Sequence, residues 1–158
     1  MEFNLINAAG GILVVLMLIP NIAYAVRHPG GETHCTGRAA NLLEQIGRYA
    51  SMALMVLPLG IGKFGFPSVA DFLLYLFGNG ALLLAYWACW WRYFRKVTRA
   101  RALTLAVLPV GIFLLSGLTL RHWLLVQAGA VFGGAHIYVT EKIVRNENAT
   151  SYGSKSCT

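Results

Sequence analysis

The sequence predicts an all-α integral membrane bundle of five transmembrane helices, and three observations predict it. Five apolar stretches run from Leu5 to Val26, Leu42 to Gly62, Val69 to Trp91, Ala102 to Leu120 and Trp123 to Thr140. Each is close to the ~20 residues that a helix needs to cross ~30 Å of hydrocarbon, and none alternates with the period of two of a barrel strand. The basic residues then sort to one side. With five spans, 10 of the 13 Lys and Arg share one face: Arg27 and Arg38, the Arg92–Arg101 connection, and the tail from Lys142. Lys63 and Arg121 fall on the other face and Arg48 lies within a span. The positive-inside rule places the N-terminus out and the C-terminus in.

With 57% apolar and 12% charged side chains over 158 residues, helices and short connections account for nearly the whole chain. The expected organisation is one five-helix domain over residues 1–145 and a polar, flexible cytoplasmic tail over residues 146–158. The +7 charge is read as topology and attraction to anionic inner-leaflet lipid, and nucleic acid is not expected as a partner. Cys35, Cys89 and Cys157 all fall at or beyond the cytoplasmic ends of spans, where thiols stay reduced, so no structural disulfide is expected.

The first span ends in Ala23-Tyr24-Ala25, which resembles a signal-peptide cleavage site. Removing that span would put Arg92 to Arg101 outside, against the charge rule, so it is read as a retained helix. Span two carries Glu44 and Arg48 four residues apart, an acid and a base on one helix face in the favourable order. They read either as a self-neutralising pair that eases entry into the inner leaflet or as a polar site facing the bundle. The stripe continues through Ser51, Met55 and Pro58, which favours the inward reading. Span three begins at Asp71, expected to pair with Arg121 at the end of span four. It carries Asn79 between Gly78 and Gly80 near mid-membrane, where the glycines permit close approach and the amide seeks a partner across the helices. Pro20, Pro58 and Pro109 each remove a backbone hydrogen bond, so kinks are expected in three spans. Span five packs through Gly129 and Gly133, with Ala130 and Gly134 as a second small pair, and His136 lies on the face of the first pair. The imidazole should point inward, as a hydrogen-bonded core histidine or as a proton carrier or ligand.

His136 shares a depth with Asn21 and Tyr24, with Glu44, Arg48 and Tyr49, and with Tyr86, Trp87, Trp90 and Trp91. An interfacial belt explains most of the aromatics. The polar members need polar partners in hydrocarbon, and together they predict a pocket in the inner-leaflet half, roofed by the Arg27–Asn41 connection. Glu44, Arg48, His136, Asn21, Tyr49 and Tyr86 are its candidate ligand-binding residues. Gly129, Gly133, Asn79, Asp71 and Arg121 are read as structural packing positions.

Other motifs point elsewhere only weakly. His122 and His136 stand about 21 Å apart along one helix face, a spacing that resembles the paired haem ligands of two-haem b-type cytochromes. No other span holds a histidine to oppose them. The loop His28-Pro-Gly-Gly-Glu32-Thr-His34-Cys35 lacks the repeated spacing of a zinc site, and Arg27-His28-Pro29 matches only three residues of the lipid methyltransferase motif. No metal and no cofactor is expected.

Leu43-Glu44-Gln45-Ile46-Gly47-Arg48-Tyr49, Tyr75-Leu76-Phe77-Gly78-Asn79-Gly80, Leu115-Ser116-Gly117 and Gly134-Ala135-His136-Ile137 together resemble a group of small, uncharacterised bacterial membrane proteins, over most of the chain from span two onward. The resemblance implies a bacterial inner-membrane setting and supplies no chemistry. The leading functional expectation is therefore binding or passage of a small polar or amphipathic molecule, or service as a subunit of a homo-oligomer or larger membrane complex. A membrane enzyme acting on a lipid-linked substrate, with Glu44 or His136 as acid or base, is the alternative, and haem electron transfer the third.

Overall fold

The computed structural model describes residues 7–27, 38–57, 59 and 65–151. These form five helices and, among the described residues, no strand: α1 (Ala8–Arg27), α2 (Arg38–Val56), α3 (Val69–Arg95), α4 (Arg99–Thr119) and α5 (Trp123–Ser151). By length and composition α1, α3, α4 and α5 can cross a bilayer, with mean hydropathies from 1.2 to 2.1. The helix α2 falls outside this set because Asn41, Glu44, Gln45 and Arg48 crowd its first half.

Two boundaries differ by more than four residues from those read in the sequence. The second helix stops at Val56, not Gly62. Its last helical bond runs from Leu57 N–H to Ala53 O at 2.7 Å, and Leu59 N–H then turns back to Leu57 O. Proline at 58 disfavours helix at the residue before it; Pro58 itself, expected to kink this span, lies outside the described residues, as do residues 28–37. At the other end α5 runs on to Ser151, eleven residues past Thr140. Glu141, Lys142, Ile143 and Arg145 are compatible with helix, and leaving the apolar layer is no reason for one to end. Pro20 and Pro109 do lie inside helices.

The helices alternate in direction. Asn7 at the head of α1 donates to Val56 O at 2.8 Å, Glu44 on α2 meets His136 on α5, and Leu59 meets His122. One end of the bundle, the basic end, therefore gathers Arg27, Arg95, Lys96, Arg99 and Lys142. The opposite end holds Asn7, Leu59, Ser68 and the α4–α5 corner.

That corner is tightly specified. Arg121 adopts φ 53, His122 N–H reaches back to Gly117 O at 2.7 Å and Arg121 N–H to Leu118 O at 3.2 Å, which is a Schellman ending with arginine where glycine is usual. His122 also opens α5: its Nδ1 accepts from Leu125 N–H at 3.0 Å. At the head of α3, the Ser68 hydroxyl accepts from Asp71 N–H and donates to the Asp71 carboxylate. Asp71 is thus held within its own first turn and no ion pair joins it to exposed Arg121, contrary to expectation. A capping serine three residues earlier competes at no cost in reach.

The core comprises Val14, Met17, Met55, Tyr86, Trp90, Ile112, Phe113, Leu125 and Phe132 among others. Gly129 lies against Phe113 and Gly133 against Val110, so this pair sets the approach of α5 to α4. Nothing lies within 4 Å of a Cβ built on Gly134, so the second small pair expected on α5 does not mediate packing. Large apolar side chains remain outward on α1 (Ile12, Val15, Ile22) and α3 (Leu74, Phe77, Leu84). An apolar exterior of this extent around buried Ser51, Asn79 and Ser116 fits a small multi-pass integral membrane protein.

Candidate functional site: a cavity at the basic end

At the site α2 and α5 meet backbone to backbone. A Cβ on Gly47 would stand 2.9 Å from Phe132 Cα, so only glycine lets the two backbones meet there. This contact brings together charged groups from the turns on either side. Glu44, 8% exposed, accepts hydrogen bonds from Arg48 one turn along and engages His136 Nδ1 at 2.9 Å. The imidazole stacks on Phe132 with ring centroids 4.9 Å apart, and the Arg48 guanidinium lies over the same ring at 5.9 Å. One carboxylate thereby fixes both a base and an imidazole, with an aromatic plate behind them.

Across the bundle, Asn21 on α1 donates to Tyr86 Oη at 2.8 Å and to Met17 O at 3.0 Å. Its amide spans the helix backbone and the α3 side chain together. Trp87 Nε1 donates to Leu16 O at 3.1 Å. Tyr24 packs on Trp90, Tyr93 and Phe94 with centroids 5.4–6.1 Å apart, and Arg27 covers Phe94. Arg101 donates to Arg92 O and Lys96 O, closing the end of α3, and Arg99 pairs with Glu141 at 3.1 Å.

Between these two walls lies a cavity of about 760 Å³ to which all five helices contribute. That is within the ~300–1,000 Å³ of small-molecule sites. Asn21, Arg48, Tyr49, Tyr86 and His136 line it; Glu44 stands behind Arg48 and His136 and orients them. The lining reaches Val97, Thr98 and Arg99 at the basic end. Ala25, Ala102, Ala106 and Pro109 supply the room, since short side chains face a wall of Tyr24, Trp90, Tyr93 and Phe113.

Several contributors were not singled out by sequence reasoning. Tyr93 and Thr98 lie just past the expected ends of spans, and Gly47 shows its importance only once Phe132 is opposite it. A glycine between Glu44 and Arg48 was the available signal. Comparison of the chain with protein-family models, with curated proteins and with solved structures finds no match. The functional reading rests on this geometry.

The remaining candidates lie apart from the cavity. His122 occupies the opposite end, outside the helices, with Nδ1 accepting from Leu125 N–H and Nε2 against Leu59 O at 2.8 Å. That pattern fixes Nε2 as the protonated nitrogen and leaves no lone pair for haem iron, so the two-haem spacing is explained by capping. Burial holds its pKa below the ordinary 6.5. Asn79 is 1% exposed, and neither atom of its amide has a protein partner, so the expected bond across the helices is not made. Gly78 beside it closes on Leu115. Cys89 is free, and the described residues hold no cluster of metal-ligating side chains.

Proposed function

We propose that the chain crosses a bacterial inner membrane five times, N-terminus out, and that its cavity binds an amphipathic small molecule or lipid at the cytoplasmic leaflet. The observation that carries this reading is the pairing of polar groups and aromatic walls around one cavity at the basic end. Arg48 supplies a cation over a third exposed, fitted to an anionic headgroup. Asn21 and Tyr86 supply neutral hydrogen bonds, and Tyr24, Trp90 and Tyr93 provide apolar surface for a chain or ring. The lengthwise pairing of α2 with α5, from Glu44 and His136 to Leu59 and His122, supports a fifth span beside the four apolar helices. In a bundle, charged α2 residues face protein rather than lipid.

The test is native mass spectrometry of the chain extracted gently from its own membrane. A defined adduct is expected on the wild type and is lost in Arg48→Ala and Trp90→Ala. A bare chain with no adduct in any form, and no uptake of added membrane lipid, would refute binding. A retained protein partner would instead support the role of complex subunit.

One observation favours an enzymatic reading as the alternative. A carboxylate bonded to one imidazole nitrogen orients the other nitrogen for proton transfer, as in acid–base dyads, and His136 lines the cavity in that arrangement. Turnover of a lipid-linked substrate abolished by His136→Gln would select it.

A further inference from the structure

We infer that the half of the bundle away from the basic end contains a second internal site, for bound water, formed by Tyr75, Asn79 and Ser116. This goes beyond the proposed ligand cavity and does not depend on it. The three side chains are 3%, 1% and 0% exposed. The Tyr75 hydroxyl, both polar atoms of the Asn79 amide and the Ser116 hydroxyl all lack a hydrogen-bond partner within the protein.

All three lie where α3 packs on α4. Tyr75 and Asn79 are one turn apart on α3 and both point inward. Gly78 between them closes on Leu115 of α4, immediately before Ser116. The Tyr75 hydroxyl lies beside the Ser116 hydroxyl and the Asn7 side chain at the head of α1, but not in the geometry of a direct hydrogen bond to either. Buried polar groups in folded proteins are rarely left unpaired, and internal water with two to four polar partners commonly serves those that the chain does not pair.

The chemistry selects the occupant. The three side chains are neutral and supply both donors and acceptors, which suits water and gives an ion no countercharge. On α3 the cavity lining begins at Tyr86, two turns beyond Asn79 and about 10 Å along the axis. Phe113 lies one turn from Ser116 toward the basic end, and Val14 and Met17 fill the same interval on α1; all three are core residues. The water site is therefore separated from the cavity by an apolar layer.

Radiolytic hydroxyl-radical labelling of the full chain in lipid nanodiscs tests the site, since bound water generates radicals beside it. Tyr75 should be labelled despite its burial, while Ile112 and Leu125, fully buried and away from the cavity, stay unlabelled. Asn79→Leu should cut Tyr75 labelling several-fold and lower the Tm, because apolar substitution strands the other two hydroxyls. An unlabelled Tyr75 in the wild type, or a rise in Tm for Asn79→Leu, would overturn the proposal. A rise would mean that the amide is simply unpaired and that removing it relieves the protein.

Discussion

Replacing Gly47 by alanine should destabilise the protein, whereas the same change at Gly134 should stabilise it. An added Cβ at position 47 would stand 2.9, 3.0 and 3.1 Å from Phe132 Cα, Cβ and N. None of these atoms can rotate away, so α2 and α5 must part by about 0.5 Å to restore ordinary contact. Overpacking of this kind costs about 1–3 kcal/mol, offset by the ~1 kcal/mol by which alanine favours helix over glycine. The net loss is about 1 kcal/mol. At Gly134 nothing lies within 4 Å, so the helix preference stands alone and adds up to about 1 kcal/mol. The two variants should differ by about 2 kcal/mol in reversible unfolding in mixed micelles. Opening the contact also stretches the 2.9 Å bond between Glu44 and His136 toward 3.4 Å, where it is weak, so Gly47→Ala should lose ligand retention as well. Equal stabilities for the two variants would refute the close α2–α5 contact.

Removing the carboxylate in Glu44→Leu leaves Arg48 and His136 without their shared acceptor and should cost about 2 kcal/mol in the same unfolding assay; Arg48→Met should cost less, since Arg48 is over a third exposed. Arg121→Gly should stabilise by about 0.5–1 kcal/mol, because glycine adopts the φ 53 backbone without the strain borne by a side chain; a lower Tm would contradict the Schellman ending. Acid should weaken the corner at the far end. The pKa of His122 is depressed below 6.5 by burial, so the unfolded chain takes up the proton first. The contribution of His122 is full above about pH 6.5 and falls as pH drops below it. Unfolding midpoints from pH 8 to pH 5 should show this slope in the wild type and less of it in His122→Asn, which keeps a cap acceptor that does not titrate.

Much of the architecture was legible because apolarity and helix length answer to the same bilayer thickness. The starts of α3 and α5 fell at Val69 and Trp123 as read, where Ser68 and His122 supply capping acceptors. The end of α2 differs because hydropathy continues through Leu57 and Leu59, although a proline in the sequence at 58 has no N–H to give to a helix and disfavours helix at the residue before it. The depth shared by Asn21, Arg48, Tyr86 and His136 was readable from counting along spans, and these residues do surround one cavity. Their partners were not readable. Whether Glu44 turns to Arg48 alone or also to His136 depends on the height at which α5 slides past α2. That height is set by Gly47 against Phe132, a fit between residues 85 positions apart. The Asp71–Arg121 pairing failed for the complementary reason: a local serine satisfied Asp71 before any distant partner could.

The α2–α5 pairing also bears on how the chain is made. The helix least able to enter lipid unaided has as its chief partner α5, made long after it: Glu44 precedes His136 by 92 residues. At about 5–20 residues per second, α2 waits roughly 5–20 s for the surface that shelters its charges. During that interval it must be held by the insertion machinery or shielded by α1, whose Asn7 already bonds to Val56. The fold is therefore committed only once α5 has been made, and a chain truncated before α5 should be a substrate for membrane quality control rather than a smaller version of the bundle.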